Sequence, residues 1–175
     1  MRKMNTVIDT ILKRRSIKAY TDEQVTDEEL EQILNCGLYA PNGRSAQAPV
    51  FVAVRDKQTR DLLSKLNARV ISEESDPFYG APCVICVLAD RKRSTAVEDG
   101  SLCIGNMCLA AQSLGLGSCW IHRCRQVFDS DDGKALLEKW GVPGDLIGVG
   151  FCIVGHSAQQ KEAAPRRENR VFYID

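Results

Sequence analysis

The sequence lacks the marks of a secreted, membrane-spanning or nucleic-acid-binding protein. Its first twenty residues, MRKMNTVIDTILKRRSIKAY, hold no apolar core of signal-peptide length, and no run of about 18 uninterrupted apolar residues occurs anywhere. These absences predict a cytoplasmic protein with no membrane partner. Net charge is missing too, because 23 basic side chains cancel 23 acidic ones. No molecule-wide field therefore favours nucleic acid or an anionic surface, and any anion site has to be local. Repeats and low-complexity linkers are absent. With 175 residues, 44% of them hydrophobic, and only 13 Gly and 6 Pro, the chain can bury the core of one domain spanning 1–175 but not of two.

Cysteine is plentiful by contrast: Cys36, Cys83, Cys86, Cys103, Cys108, Cys119, Cys124 and Cys152. They sit in apolar runs rather than polar loops, the pattern of reduced, buried thiols in a cytosolic chain. The Cys83-x-x-Cys86 pair lies in a strand-like run, where a three-residue step turns the side chains to opposite faces. Cys103 and Cys108 are poorly aligned on a helix. No second Cys-x-x-Cys or histidine pair completes four ligands, so no metal is expected. His122 and His156 read first as structural or surface histidines.

Hydrophobic spacing divides the rest. Val7, Ile8, Ile11 and Leu12 share one face of a helix over 5–14. Thr26 with Glu29 forms a capping box ahead of a second helix ending near Tyr39. Residues 50–54 and 83–89 read as buried strands, with a helix over 56–70 and an irregular segment over 71–81 that could cover a pocket. An almost uncharged helix over 96–114 is expected at the centre of the fold. Further elements are a strand over 118–121, a helix over 132–140 and a last strand over 146–155. The apolar cluster Val171–Ile174 is suited to join a sheet edge, in its own chain or a partner's.

Three segments carry candidate chemistry. Arg14-Arg15-Ser16-Ile17-Lys18 packs three cations and a hydroxyl, and arginine's planar fork matches a phosphate; alternatively, the helix end balances its own dipole. The loop from Ala40 to Ala48 carries Pro41, Asn42, Ser45 and Gln47, amides and hydroxyls able to ring a flat heterocycle, or else forms an ordinary turn. In Gly115-Leu116-Gly117-Ser118-Cys119-Trp120-Ile121-His122, glycines permit close backbone approach and Trp120 offers a flat wall, or else this is a helix stop and a core tryptophan. Arg166-Arg167, in the polar tail, could clamp the same phosphate.

Together these segments resemble the nitroreductase family of flavoproteins over most of the chain and in the family's order. Arg-Arg-Ser-Ile-Lys is similar to its N-terminal phosphate motif, and Ala40-Pro41 with Gln47 to its Ala-Pro-Ser-x-x-Asn-x-Gln-Pro-Trp loop. Asp99 to Ala111, continuing through Leu114-Gly115-Leu116-Gly117-Ser118-Cys119-Trp120-Ile121, resembles its central helix and following strand. Pro165-Arg166-Arg167 with Val171 and Tyr173 is similar to its C-terminal signature.

The resemblance implies an α+β fold with a central, mostly antiparallel sheet flanked by helices. It also implies a homodimer whose C-terminal tails are exchanged, with two FMN sites at the interface. By position it implies that Arg14, Arg15, Ser16 and Arg166 hold the FMN phosphate and that Lys18 approaches the pyrimidine edge of the ring. Pro41, Asn42, Ser45 and Gln47 come from the partner subunit, and backbone near Ile121 and His122 faces flavin N5. The implied activity is ping-pong electron transfer from NAD(P)H to an electron-poor acceptor such as a nitroaromatic or quinone, the alternative being a non-enzymatic flavin-binding or regulatory module. Ser45 in place of Asn, Ala48-Pro49 in place of Pro-Trp, Ala164 in place of Lys and His122 in place of Gly depart from the family pattern at the ring contacts.

Overall fold

The computed structural model describes residues 5–174. Helix α1, Thr6–Lys13, is capped by Asn5, whose Oδ1 accepts from the Val7 N–H at 2.9 Å. Its apolar face (Val7, Ile8, Ile11, Leu12) is not buried but open to solvent. Helix α2, Asp27–Leu38, has both halves of the expected capping box, with Glu29 N–H donating to Thr26 Oγ1 and Thr26 N–H to Glu29 Oε2. A short 3-10 turn, Gly43–Ser45, leads into strand β1, Pro49–Val54. There follow α3 (Lys57–Arg69), β2 (Cys83–Asp90), α4 (Ala96–Ser113), β3 (Gly117–Ile121), α5 (Cys124–Asp129), α6 (Asp131–Lys139) and β4 (Leu146–Gly155).

The four strands form one sheet in the order β1-β2-β4-β3, antiparallel throughout. The central strands are covered on both sides, which explains why their sequences are apolar without alternation. On one face Cys83, Ile85 and Val87 meet α2 and α4 through Leu30, Ile33, Ile104 and Met107. On the other, Val84, Cys86 and Leu88 meet Leu63 of α3, Val127 and Phe128 of α5 and Leu136 of α6. Cys83 and Cys86 therefore point to opposite faces.

Val87 pairs with Gly150 and Leu88 with Gly148, so Val149 is the extra residue of a bulge in β4. That bulge lets Ile147 and Val149 share the α4 face with Cys152 and Val154 beyond it. Val149 fills the space left by Gly100, where an added Cβ would meet its side chain at 2.6 Å.

The helix expected over 132–140 is α6, and it is preceded by one that was not expected, α5, whose first turn packs directly on the backbone of Gly148. Helix α4 is buried along one side only, leaving Val97 and Leu102 exposed, a correction to its expected central burial. The cluster Val171–Ile174, expected at a sheet edge of its own chain or a partner's, joins none among the described residues of its own chain; residues 160–174 are exposed, reaching 94% at Ile174.

Candidate functional site

Chain direction after α1 is set by sheet pairing. Ser16 forms a parallel bridge with Ser118, and Ile17 N–H donates to the Ser118 carbonyl at 3.0 Å, fixing Arg14-Arg15-Ser16 against the first residues of edge strand β3. The Arg15 guanidinium folds back so that Nη1 donates to the carbonyls of Leu12 (2.6 Å) and Arg14 (2.8 Å), while its Nε is buried with no partner among the described residues. Lys161, arriving after β4, donates from Nζ to the Ser16 carbonyl at 3.1 Å.

The thiols beneath report the local field. Burial raises Cys119 above its ordinary value, opposed by a hydrogen bond from Ser16 and by the charges of Lys18 and Lys161. Cys108 is lowered, first by its contact with Cys152, with Ser118 and Arg14 adding to the effect. Arg14, Arg15 and Lys18 thus flank Ser16 in sequence at the edge of β3, Lys161 joins its carbonyl, and the buried Arg15 N–H has no partner among the described residues. That donor set fits a phosphate, whose several oxygens accept charge-assisted bonds.

Lys18, exposed, lies over the Tyr79 ring at 5.0 Å from its centroid. Tyr79 stands at positive φ in the 71–81 segment, which Asp76 organises. The Asp76 carboxylate accepts from Ser64 Oγ (2.6 Å), Phe78 N–H (2.9 Å) and Gly80 N–H (2.7 Å), and pairs with Arg60. Burial alone would raise its pKa, but these donors outweigh burial and hold the carboxyl below its ordinary value.

At the far end of β3, Ile121 is buried and His122 exposed. The turn into α5 passes through Arg123 in the left-handed region, at φ 74. Fully buried Asn67 of α3 donates from Nδ2 to the His122 carbonyl at 2.8 Å and accepts from Arg123 Nε at 3.0 Å. The open edge of β3 thereby connects the cationic cluster at Ser16 to the His122 turn.

The remaining candidates lie elsewhere in the chain. Asn42 Oδ1 accepts from Gln47 N–H at 2.9 Å, and Arg44, Ser45 and Gln47 all adopt positive φ. This loop is anchored to the start of α4, where buried Asp99 accepts from Gly43 N–H (2.8 Å) and from Thr95 Oγ1 (2.9 Å). The Ser16 cluster lies beside Cys108, which Ser118 hydrogen-bonds, nine residues along α4 from Asp99, a rise of about 14 Å. No hydrogen bond or ion pair among the described residues joins Pro41, Asn42, Ser45 and Gln47 to Arg14, Arg15, Ser16 and Lys18. Arg166 is exposed and has no hydrogen bond or ion pair among the described residues.

Lys161, Asp99 and Asn67 were not among the expected site residues. The partners of Lys161 and Asn67 are far away in sequence, so no local pattern marks them, whereas Asp99 opens the central-helix motif and bonds Thr95 four residues before it as well as distant Gly43. Among the described residues no group of three or more His, Cys, Asp or Glu could hold a metal ion, and no helix is long and apolar enough to cross a membrane.

Residues 11–156 match the model of the family described as the nitroreductase family. The chain belongs to the nitroreductase family. A protein of Archaeoglobus fulgidus provisionally designated NADH dehydrogenase/NAD(P)H nitroreductase is 32% identical over 91% of this chain and 90% of its own. The NADPH-flavin oxidoreductase of Vibrio harveyi is 30% identical, covering 93% of this chain and 70% of that protein. Among solved structures, a Bacteroides fragilis nitroreductase with bound FMN superposes with a TM-score of 0.91 at 27% identity, covering 98% of this chain and 100% of that one. The four-stranded antiparallel sheet between helical layers is therefore the nitroreductase fold.

Proposed function

We propose that this nitroreductase is an FMN-dependent oxidoreductase that takes electrons from NADH or NADPH and passes them to a nitroaromatic or quinone, donor and acceptor using one pocket in turn. The observation that carries this reading is the cationic cluster at the start of β3, with its buried, unpartnered Arg15 Nε. The FMN of the B. fragilis relative and the flavin specificity of the V. harveyi relative support it.

Bound FMN supplies hydride chemistry at N5, so the protein needs to provide only binding, orientation and electrostatics. Arg14, Arg15 and Ser16 hold the phosphate, and Arg166 completes its shell when the tail is docked. Lys18 lies along the pyrimidine edge, where a positive charge favours the negative charge of the reduced ring. Backbone at Ile121 and His122 faces N5.

Pro41, Asn42, Ser45 and Gln47 close the site from the partner subunit of a homodimer. Two observations favour that arrangement: the separation of the two residue groups within one chain, and the large apolar surface the chain leaves open. Val7, Ile8, Ile11 and Leu12 of α1, Leu38, Tyr39 at 89% exposure, Leu102 of α4 and the tail cluster Val171–Ile174 are all exposed. Exchange of the C-terminal tails would cover part of it. All eight cysteines are free thiols, which suits a cytoplasmic setting.

Steady-state oxidation of NADH and NADPH with menadione or a nitrobenzoate as acceptor tests the proposal. Parallel double-reciprocal lines are expected. A protein that binds FMN but turns over neither nucleotide with any acceptor is instead a flavin-binding module.

A further inference from the structure

We propose that Asn67 is a positioning residue that sets the His122–Arg123 peptide against the flavin, an inference resting on the reading that this turn faces N5. Its amide leaves no freedom of assignment. The His122 carbonyl can only accept and Arg123 Nε can only donate, so Nδ2 faces the first and Oδ1 the second, at 2.8 and 3.0 Å. The side chain is fully buried between α3 and the start of α5, where no water competes.

The consequence follows from peptide geometry. In a trans peptide the carbonyl of one residue and the N–H of the next point in opposite directions. Drawing the His122 carbonyl toward Asn67 therefore aims the Arg123 N–H away from α3, and that N–H has no backbone partner among the described residues. Arg123 sits at φ 74, a conformation costing a non-glycine residue roughly 1–2 kcal/mol. Such a conformation persists only where surroundings hold it, and the Asn67 carbonyl on the Arg123 guanidinium is that hold. The clamp thus leaves a backbone donor preorganised at the end of β3 remote from the phosphate cluster.

Asn67→Asp tests the assignment, because aspartate keeps the acceptor for Arg123 Nε and removes the donor to the His122 carbonyl. Four quantities separate positioning from mere packing: the Tm of the cofactor-free protein, the FMN Kd, the flavin midpoint potential and the rate of flavin bleaching by NADH. The expected result is bleaching slowed about tenfold or more, a lowered potential and an FMN Kd within about threefold of wild type, since the phosphate cluster is untouched. If Asn67→Asp does not fold, Asn67→Ala carries the test: it removes both bonds of the clamp, and potential and bleaching rate should shift in the same direction. A folded, FMN-loaded variant with wild-type potential and bleaching rate overturns the proposal, even if its Tm falls. Wild-type protein that binds no FMN would instead remove the reading of the site on which the proposal rests.

Discussion

At the scale of single residues, Arg15 is the most exacting part of the proposed anion site. Its Nη1 is used on the carbonyls of Leu12 and Arg14, and its Nε has no acceptor among the described residues. Arg15→Ala should weaken FMN binding by about 1.5–3 kcal/mol, roughly 10- to 150-fold in Kd, read by fluorescence titration. Lys18→Ala should lower the flavin midpoint potential by about 30–60 mV, the two-electron equivalent of one charged hydrogen bond; an unchanged potential would exclude Lys18 from the ring edge.

Asp76 gives a pH signature. Its folded-state pKa is depressed, so its contribution to stability is complete above the ordinary carboxylate range, about 4, and is lost as pH falls through the folded value. Asp76→Asn should cost about 1–2 kcal/mol in urea melts at neutral pH, a gap that narrows in acid as the wild-type carboxylate protonates. The Arg14–Lys18 cluster was legible in the sequence because five adjacent residues carry it. Asn67 and Lys161 were not, since their partners lie 55 and 145 residues away.

Among the secondary elements, local signals marked most helices and strands well. The Thr26–Glu29 box starts α2 as its spacing implies, and the unalternating runs of β2 and β4 occupy the two strands covered on both faces. Helix α5 carries no local sequence signal, because it is six residues long, has no side-chain cap and enters through a left-handed arginine. Its placement depends instead on Gly148 in a strand remote in sequence, where a Cβ would meet the Cys124 carbonyl oxygen at 2.4 Å. Because that obstacle is backbone, Gly148→Ala should destabilise the fold by about 1–3 kcal/mol, seen as a lowered Tm. A wild-type Tm would mean that α5 does not rest on β4 as described.

For the whole molecule, which apolar helix faces stay open is not legible in the sequence, since periodicity marks a face without naming what covers it. The apolar side of α1 is exposed, and so is one side of α4. In the proposed homodimer these faces would meet, and light scattering should then report about twice the 19.4 kDa chain mass. Ile11→Glu places a charge in that interface and should yield monomers that lose FMN, because the Pro41–Gln47 loop then no longer reaches the phosphate-bearing half of the site. Monomers that retain FMN at wild-type affinity would show that a single chain completes the site.

The central claim, that this chain holds FMN and passes electrons through it, is tested most directly by the visible spectrum of protein reconstituted with FMN, recorded anaerobically before and after NADH or NADPH. The account predicts flavin absorbance that co-elutes with the protein and bleaches on adding nucleotide. Protein that retains no flavin after reconstitution, or holds flavin that neither nucleotide bleaches, would contradict it.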